Sequence, residues 1–354
     1  MYSRSSSQAP AVAIVVLNWN GWQDTIECLD SLFRMDYPRF QVIVCDAGST
    51  DGSLERIKAW AQGDLEFSSP IHSPIYKPEN PPLPKPIPFI THELSSLEHG
   101  IPAGITSPLV LIQMGVNLGF AGGNNVGLRY ALAQDLFQYA WVLNNDTVVH
   151  PQSLGMLVER VQRDPSIGNC GSTIFYYSTP HKIQTLGGNT YNKWLAVSKY
   201  IGAEKEPVNV ADIREERIEK QMNMVYGCAM FVSIAMLREV GLLSEDYFLF
   251  SEEIDWAERM KDRFKLGYAA KSIIYHKRGQ STGNQANPKE RTAQADYYNI
   301  RSRLLFVKKY YPWALLTVTL GLLGVVLNRV RRGQFDRANT VFKIIYEILI
   351  FPKK

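Results

Sequence analysis

The chain opens with an apolar run, AVAIVVL over residues 11–17, closed by Asn-Trp-Asn. A run apolar at every position predicts a parallel strand covered on both faces, because a half-exposed strand would alternate. The next apolar positions, Ile26, Leu29, Leu32 and Phe33, recur at helical spacing. FQVIVCD (40–46) repeats the strand pattern, a turn follows over 47–53, and LERIKAWAQ (54–62) repeats the helix pattern. An opening β-α-β-α predicts a doubly wound α/β fold. Further strands read at PLVLIQMG (108–115), YAWVLNNDT (139–147), IGNCGSTIFYY (167–177), within 225–233, and at YAAKSIIYH (268–276). Helical spacing returns at 151–165, 234–240 and after SEEIDW (251–256). NLGFAGGNN (117–125) reads as a Gly-rich loop that runs into a helix.

Three stretches break the pattern. Residues 68–108 hold ten of the chain's 19 prolines, which argues for an inserted loop without a helix or a central strand. Residues 180–222 read as an irregular excursion with one charged, helix-prone run, ADIREERIEKQMN (211–223). From residue 296 the chain turns basic and aromatic, and 313–328 are uncharged between Lys308, Lys309 and Arg329, Arg331, Arg332. Sixteen residues fall short of the roughly 20 that a spanning helix needs. The run therefore predicts contact with a membrane surface over 304–335, its basic flanks suiting an anionic leaflet. The alternative is a helix buried in the globular core or in a homodimer interface. The organisation expected is a tail over 1–10, an α/β domain over 11–295, and a helical segment over 296–354.

Composition changes this picture little. The chain is 45% hydrophobic and 20% charged, as in ordinary globular proteins. A net charge of +4 is too small to imply a nucleic-acid partner. Cys28, Cys45, Cys170 and Cys228 are scattered among apolar neighbours and form no CxxC pair. They read as buried free thiols in a reducing compartment, and no clustered zinc ligands are present. The short apolar run near the N-terminus is a first strand, not a signal peptide.

The chemistry gathers at strand ends. Asn18 and Asn20 follow the first strand, Asp46 ends the second, Asn117 follows the third, and Asn144, Asn145 and Asp146 end the fourth. Asn and Asp are ordinary turn residues, but a turn explanation must then be invoked four times. In an open parallel sheet these ends converge on one crevice, where ligands bind. Amides and carboxylates with little Lys or Arg suit a nucleotide base and ribose, and equally a hard divalent cation. GFAGGNNVG departs from GxGxxG and follows the wrong strand for a dinucleotide site; GxxxxGK[ST] and GxSxG are absent.

Seven motifs in order, VVLNWNG, DAGSTDGS, NLGFAGGNN, LNNDT, YGCAMF, FSEEIDW and YHKRGQST, resemble glycosyltransferase family 2, in particular its bacterial rhamnosyltransferase-like members. The resemblance spans roughly residues 10–310. It implies a GT-A fold, a mostly parallel Rossmann-like sheet with helices on both faces, and inverting transfer from a dTDP- or UDP-sugar with Mg or Mn. Carried over by position, it makes Asn18, Asn20, Asp46, Asn117, Asn124 and Asn145 donor contacts. Asp146 falls on the last position of the family's DxD motif, with Asn144 where the family has a carboxylate, and His276 takes a second ligand position; these three are the metal candidates. Glu253 takes the place of the general base, with Glu252 and Asp255 flanking it. The family also implies a lipid-linked or cell-envelope glycan acceptor and a site at the cytoplasmic face of the plasma membrane. The departures at Asn144 and Glu253 keep open a binding protein of the same fold that has lost catalysis. Trp19, Trp22 and Trp256 are candidates to line the crevice, against ordinary core packing.

Overall fold

The computed structural model of the chain describes residues 9–67, 73–76, 81–97, 100, 104, 107–203, 210–277 and 292–350. Most of the expected tail, much of the proline-rich insertion and the end of YHKRGQST lie outside the described residues. The strands are β1 Val12–Asn18, β2 Phe40–Asp46, β3 Phe89–Glu93, β4 Leu109–Gln113, β5 Tyr139–Asn144, β6 Thr147–Val149, β7 Ile167–Tyr176, β8 Ile183–Leu186, β9 Gly188–Asn192, β10 Val197–Tyr200, β11 Met224–Val225, β12 Ala229–Ser233 and β13 Lys265–His276. The helices are α1 Trp22–Leu32, α2 Ser53–Gln62, α3 Leu94–Leu97, α4 Gly119–Gln134, α5 Ser153–Arg163, α6 Glu215–Glu219, α7 Ile234–Val240, α8 Glu252–Met260, α9 Ala293–Tyr310, α10 Leu315–Arg331 and α11 Phe335–Ile345.

One large sheet runs in the order β3-β4-β2-β1-β5-β12-β7-β13-β6, with β8 added beside β7. Pairing is parallel from β3 to β5 and between β7 and β13, and antiparallel around β12 and at β6. The unbroken apolar runs are explained by burial on both faces. Ala13, Val15 and Ile43 pack in one core cluster, and Val12, Ile14, Val16, Val42 and Val44 in the other. All four cysteines are unpaired and buried.

Four local expectations are corrected. The insertion supplies an edge strand, β3, and the single turn α3. Residues 89–97 contain no proline, so the ladder can form there, and at an edge. The glycines of GFAGGNNVG lie inside α4, not in a loop before it. A Cβ on Gly123 would meet Leu17 Cδ1 at 2.5 Å, and one on Gly127 would meet Val15 Cγ1 at 2.5 Å. These glycines let the helix lie close against β1, which outweighs their poor helix propensity. The excursion over 180–222 is largely regular: it holds β8, and β10, β9 and β11 form a second sheet. The charged run yields only the short α6. Its Glu219 pairs with the buried Arg160 at 2.6 Å and accepts from the Tyr268 N–H at 2.8 Å, while Glu215 accepts from the Ala270 N–H at 2.9 Å. These carboxylates satisfy β13 where its register against β7 shifts, between Ala269 and Ile273.

The tail forms α9, α10 and α11, packed around Leu304, Val318, Leu322, Val341 and Ile344. The apolar helix is longer than its uncharged stretch. Pro312–Arg331 spans 20 residues at mean hydropathy 1.7, long and apolar enough to cross a membrane by length and composition. A short 3₁₀ turn (Pro312–Ala314) and an arginine-bearing last turn add the extra residues.

Candidate active site

Because β2, β1 and β5 are parallel neighbours, their C-terminal ends share one edge. Asn18 lies in register with Asp46, and Leu17 with Asn144. The side chains there interlock. Asn18 Nδ2 donates to Asp46 Oδ2 at 2.7 Å and to Ser49 Oγ at 3.1 Å. Thr25 Oγ1 donates to Asn18 Oδ1 at 2.7 Å, and Asn145 Nδ2 donates to Thr25 Oγ1 at 3.0 Å. Asn20 is exposed with φ 51°, its side-chain Oδ1 accepting from the Thr50 N–H at 2.7 Å.

A cleft of about 620 Å³ opens at this edge. Asn117, Asn144, Asn145, Asp146, His276, Glu252 and Glu253 line it; Asn18, Asn20, Asp46, Asn124 and Asp255 do not. Asn18 and Asp46 are buried and occupied with one another and with the 49–50 turn, so they shape the crevice instead of facing it. Asn124 is buried within α4, its Nδ2 on the Phe120 carbonyl at 2.9 Å. Asn117 caps the turn into α4, accepting from the Gly119 N–H at 2.9 Å. Asp255 is fully buried and committed elsewhere: Arg259 at 2.6 Å, Lys309 at 3.0 Å and the Tyr310 hydroxyl at 2.9 Å hold it. That side chain joins α8 to α9, and no oxygen is left for an acceptor proton. Of the tryptophans, Trp19 lines the cleft at 39% exposure, Trp22 is not among its lining residues and carries Arg56 over its ring, and Trp256 is core.

Asp146 and His276 face one another, Oδ1 and Nε2 3.2 Å apart. Gln184 Nε2 donates to the Tyr226 hydroxyl at 3.0 Å, so its Oε1 receives the His276 Nδ1–H at 3.1 Å. That leaves the His276 Nε2 facing Asp146, whose Oδ1 is buried without another hydrogen-bond partner. A carboxylate oxygen and an imidazole nitrogen at this separation would fit as adjacent ligands of one divalent cation, about 3 Å apart when each bond is near 2.1 Å. The second nitrogen of the ring is fixed by an outer partner, as in metal-binding histidines generally. Among the described residues no third His, Cys, Asp or Glu side chain joins them. Burial opposes the Asp146 charge, but His276, the backbone and Lys277 outweigh it and hold the carboxyl below its usual range.

On α8, Glu253 is half-buried and its carboxylate lies against Gly227 of YGCAMF. A Cβ added there would meet Glu253 Oε1 at 2.1 Å. The glycine in that motif thus makes room for the acid. Burial raises the Glu253 pKa. Glu252 is raised further, first by burial and then by the Glu253 charge, and its Oε2 has no partner. Phe250 and Ser251, at φ 69° and 73°, turn the chain into α8. Two side-chain-bearing residues in succession in the left-handed region are uncommon and concentrate at functional sites.

Sequence reasoning missed the other half of the lining: Tyr191 and Tyr200 on the hairpin sheet, Tyr226, Phe248, and Tyr298 and Arg303 on α9. Arg303 is the only Lys or Arg lining the cleft among the described residues. Burial lowers its pKa, and its Nε lacks a partner.

This geometry can be set beside known proteins. The profile of Glycosyl transferase family 2 matches residues 13–80 and 103–231, more than half of the chain. The chain belongs to that family. Over 150 residues it is 25% identical to the low-salt glycan biosynthesis hexosyltransferase Agl10 of Haloferax volcanii, covering 42% of this chain and 45% of that protein. The chain thus spans less than half the length of this relative. In structure it resembles the mannosyltransferase PcManGT from Pyrobaculum calidifontis, solved with GDP-Man and Mn2+: TM-score 0.53, 12% identity, 98% of this chain and 89% of that one. It also resembles GalNAc-T7, solved with UDP, GalNAc and Mn2+: TM-score 0.55, 14% identity, 86% of this chain and 48% of that one. At these identities the likeness is one of fold, and the fold is GT-A.

Proposed function

We propose that this family 2 member moves a hexose from a nucleotide-sugar donor to a hydroxyl of a glycan acceptor, with inversion. One observation carries the reading: a single cleft holds both a carboxylate–imidazole pair, Asp146 and His276, 3.2 Å apart, and a half-buried acid of raised pKa, Glu253. An inverting transfer is one in-line displacement and needs these two functions. A divalent cation, Mn or Mg, held by Asp146 and His276 would offset the charge of the departing diphosphate. Glu253 takes the proton of the acceptor hydroxyl as that oxygen attacks the anomeric carbon. Its raised pKa suits a base working nearer neutral pH than an ordinary carboxylate. Trp19 and Asn117 line the donor part of the cleft, and Arg303 supplies a positive charge for a phosphate group. The two structural neighbours were solved with Mn2+ and with GDP-Man or with UDP and GalNAc, which supports a nucleotide-sugar donor and a divalent cation as the cleft's ligands.

The motifs favour dTDP-rhamnose as donor, with UDP-hexoses behind it. The acceptor is a lipid-linked or cell-envelope glycan, met at the cytoplasmic face of the plasma membrane. The test is release of nucleoside diphosphate from a panel of dTDP-, UDP- and GDP-sugars, with membrane extract as the acceptor source and Mn, Mg or EDTA present. Metal-dependent turnover of one donor is expected. Donor binding without turnover under any of these conditions would contradict the proposal and leave a binding protein.

A further inference from the structure

α10 is apolar on two opposite sides. Val318, Leu322 and Val326 face inward against α9 and α11. On the outward side Leu316, Leu320 and Leu327 are 70, 57 and 65% exposed, and they recur at helical spacing. A helix apolar all round belongs in a large core or in lipid, yet only 22% of its most apolar window is buried.

The stripe does not end with the helix. Trp313, just before α10, meets Trp194 at the tip of the β9–β10 hairpin, with ring centroids 4.4 Å apart. Both are about half exposed, as is Leu195. The tip is held in place: Asn192 Oδ1 accepts from the N–H groups of Trp194 and Leu195, each at 3.0 Å, and Thr317 Oγ1 donates to the Trp194 carbonyl at 2.6 Å. Two indoles at one end and the exposed Arg331 and Arg332 at the other bracket an apolar face. Residues 305–335 contain no Asp or Glu.

We propose that the outward face of α10 and the β9–β10 tip together form one docking surface for an anionic lipid bilayer, on which the protein lies without crossing it. Charge chooses the occupant. A second copy of this face offers no carboxylate to Arg331 and Arg332, whereas anionic headgroups do. Indoles favour the headgroup level. Packing excludes a span: the inner side of α10 is covered by α9 and by α11, whose other positions include Asp336, Arg337, Asn339 and Lys343. Carrying those through hydrocarbon is unfavourable.

The surface is coupled to the cleft. The Leu195 carbonyl receives the Arg303 guanidinium, and Ala196, Val197 and Arg303 line the cleft. Docking therefore sets one wall of the cleft at the lipid surface, where a lipid-anchored acceptor presents its sugar. That last consequence rests on the transferase reading; the docking does not.

The test is sedimentation of the full chain with vesicles of phosphatidylcholine alone and with phosphatidylglycerol added. Wild type is expected to sediment with the anionic vesicles, less so at high salt, and to be released at alkaline pH. Trp194→Glu with Leu195→Glu, and separately Leu316→Glu with Leu320→Glu, should each weaken binding by about tenfold or more. Nucleotide binding should not change, because none of the four side chains lines the cleft. Should the hairpin glutamates disturb folding, Trp194→Gln replaces them, with a smaller loss expected. The proposal is overturned if wild type stays in the supernatant, if the hairpin variants bind like wild type, if binding resists alkaline extraction, or if the chain is a dimer that buries this face and ignores vesicles. Vesicle binding without sugar transfer would instead count against the transferase reading alone.

Discussion

Gly227 is conformationally ordinary; what it lacks is room, since Glu253 Oε1 lies where its side chain would start. Gly227→Ala must therefore push the carboxylate aside. Turnover should fall while donor affinity holds, which a paired kinetic and calorimetric measurement would show. Glu253 itself makes a prediction about pH. Its raised folded pKa places the acid limb of kcat/KM above the ordinary Glu value of about 4.3. Activity should rise with pH through that limb, and the limb should vanish in Glu253→Gln. Glu252 belongs to stability. A carboxyl raised on folding contributes its stability below the unfolded pKa and loses it as pH rises through the folded one. Glu252→Gln should therefore melt above wild type at neutral pH, with the gap closing on acidification. A wild-type advantage at neutral pH would contradict this account of Glu252.

At the scale of elements, helix packing separates two kinds of glycine. A Cβ on Gly127 in α4 would lie 2.5 Å from Val15 and 3.1 Å from Cys45 Sγ. Gly127→Ala should destabilise by about 1–3 kcal/mol through overpacking. Gly155 in α5 has nothing within 4 Å of an added Cβ. Gly155→Ala should stabilise by about 0.5–1 kcal/mol. Denaturant melts of both variants test the pair. This packing explains why 117–125 misleads as sequence. Glycine is a loop signal on its own, and only the neighbouring strand reveals it as clearance. The buried strands were legible because burial on both faces leaves a continuous apolar run. β9, β10 and β11 were not, because strands of two to five residues leave too short a period to read. The site divides in the same way. Strand-end residues could be placed from the order of the strands, and Asp146 and His276 do meet. Whether an end residue faces the cleft or its neighbours depends on side-chain pairing, as Asn18 and Asp46 show. The cleft-lining tyrosines and Arg303 come from segments that carry little pattern of their own.

In the whole molecule, Asp255 binds the α/β body to the C-terminal helices through Arg259, Lys309 and the hydroxyls of Tyr247 and Tyr310. Burial opposes its charge, but Arg259 and Lys309 outweigh it and hold the pKa below the usual range. The stability it contributes is present above the unfolded pKa and lost as pH falls through the folded one. Asp255→Asn should cost about 2 kcal/mol or more at neutral pH, since charged hydrogen bonds in a buried group are lost. It should leave the kcat of the folded fraction close to that of wild type, in contrast to Glu253→Gln. The central claim is that one cleft divides its work, with Asp146 and His276 on the donor side and Glu253 on the acceptor proton. The most direct measurement is donor affinity and donor turnover, taken together, for wild type and Glu253→Gln with Mn2+ and with EDTA. The account predicts unchanged affinity and a loss of turnover of about 10²–10⁴-fold in the variant, with EDTA abolishing turnover in both. Turnover in Glu253→Gln equal to wild type would contradict it.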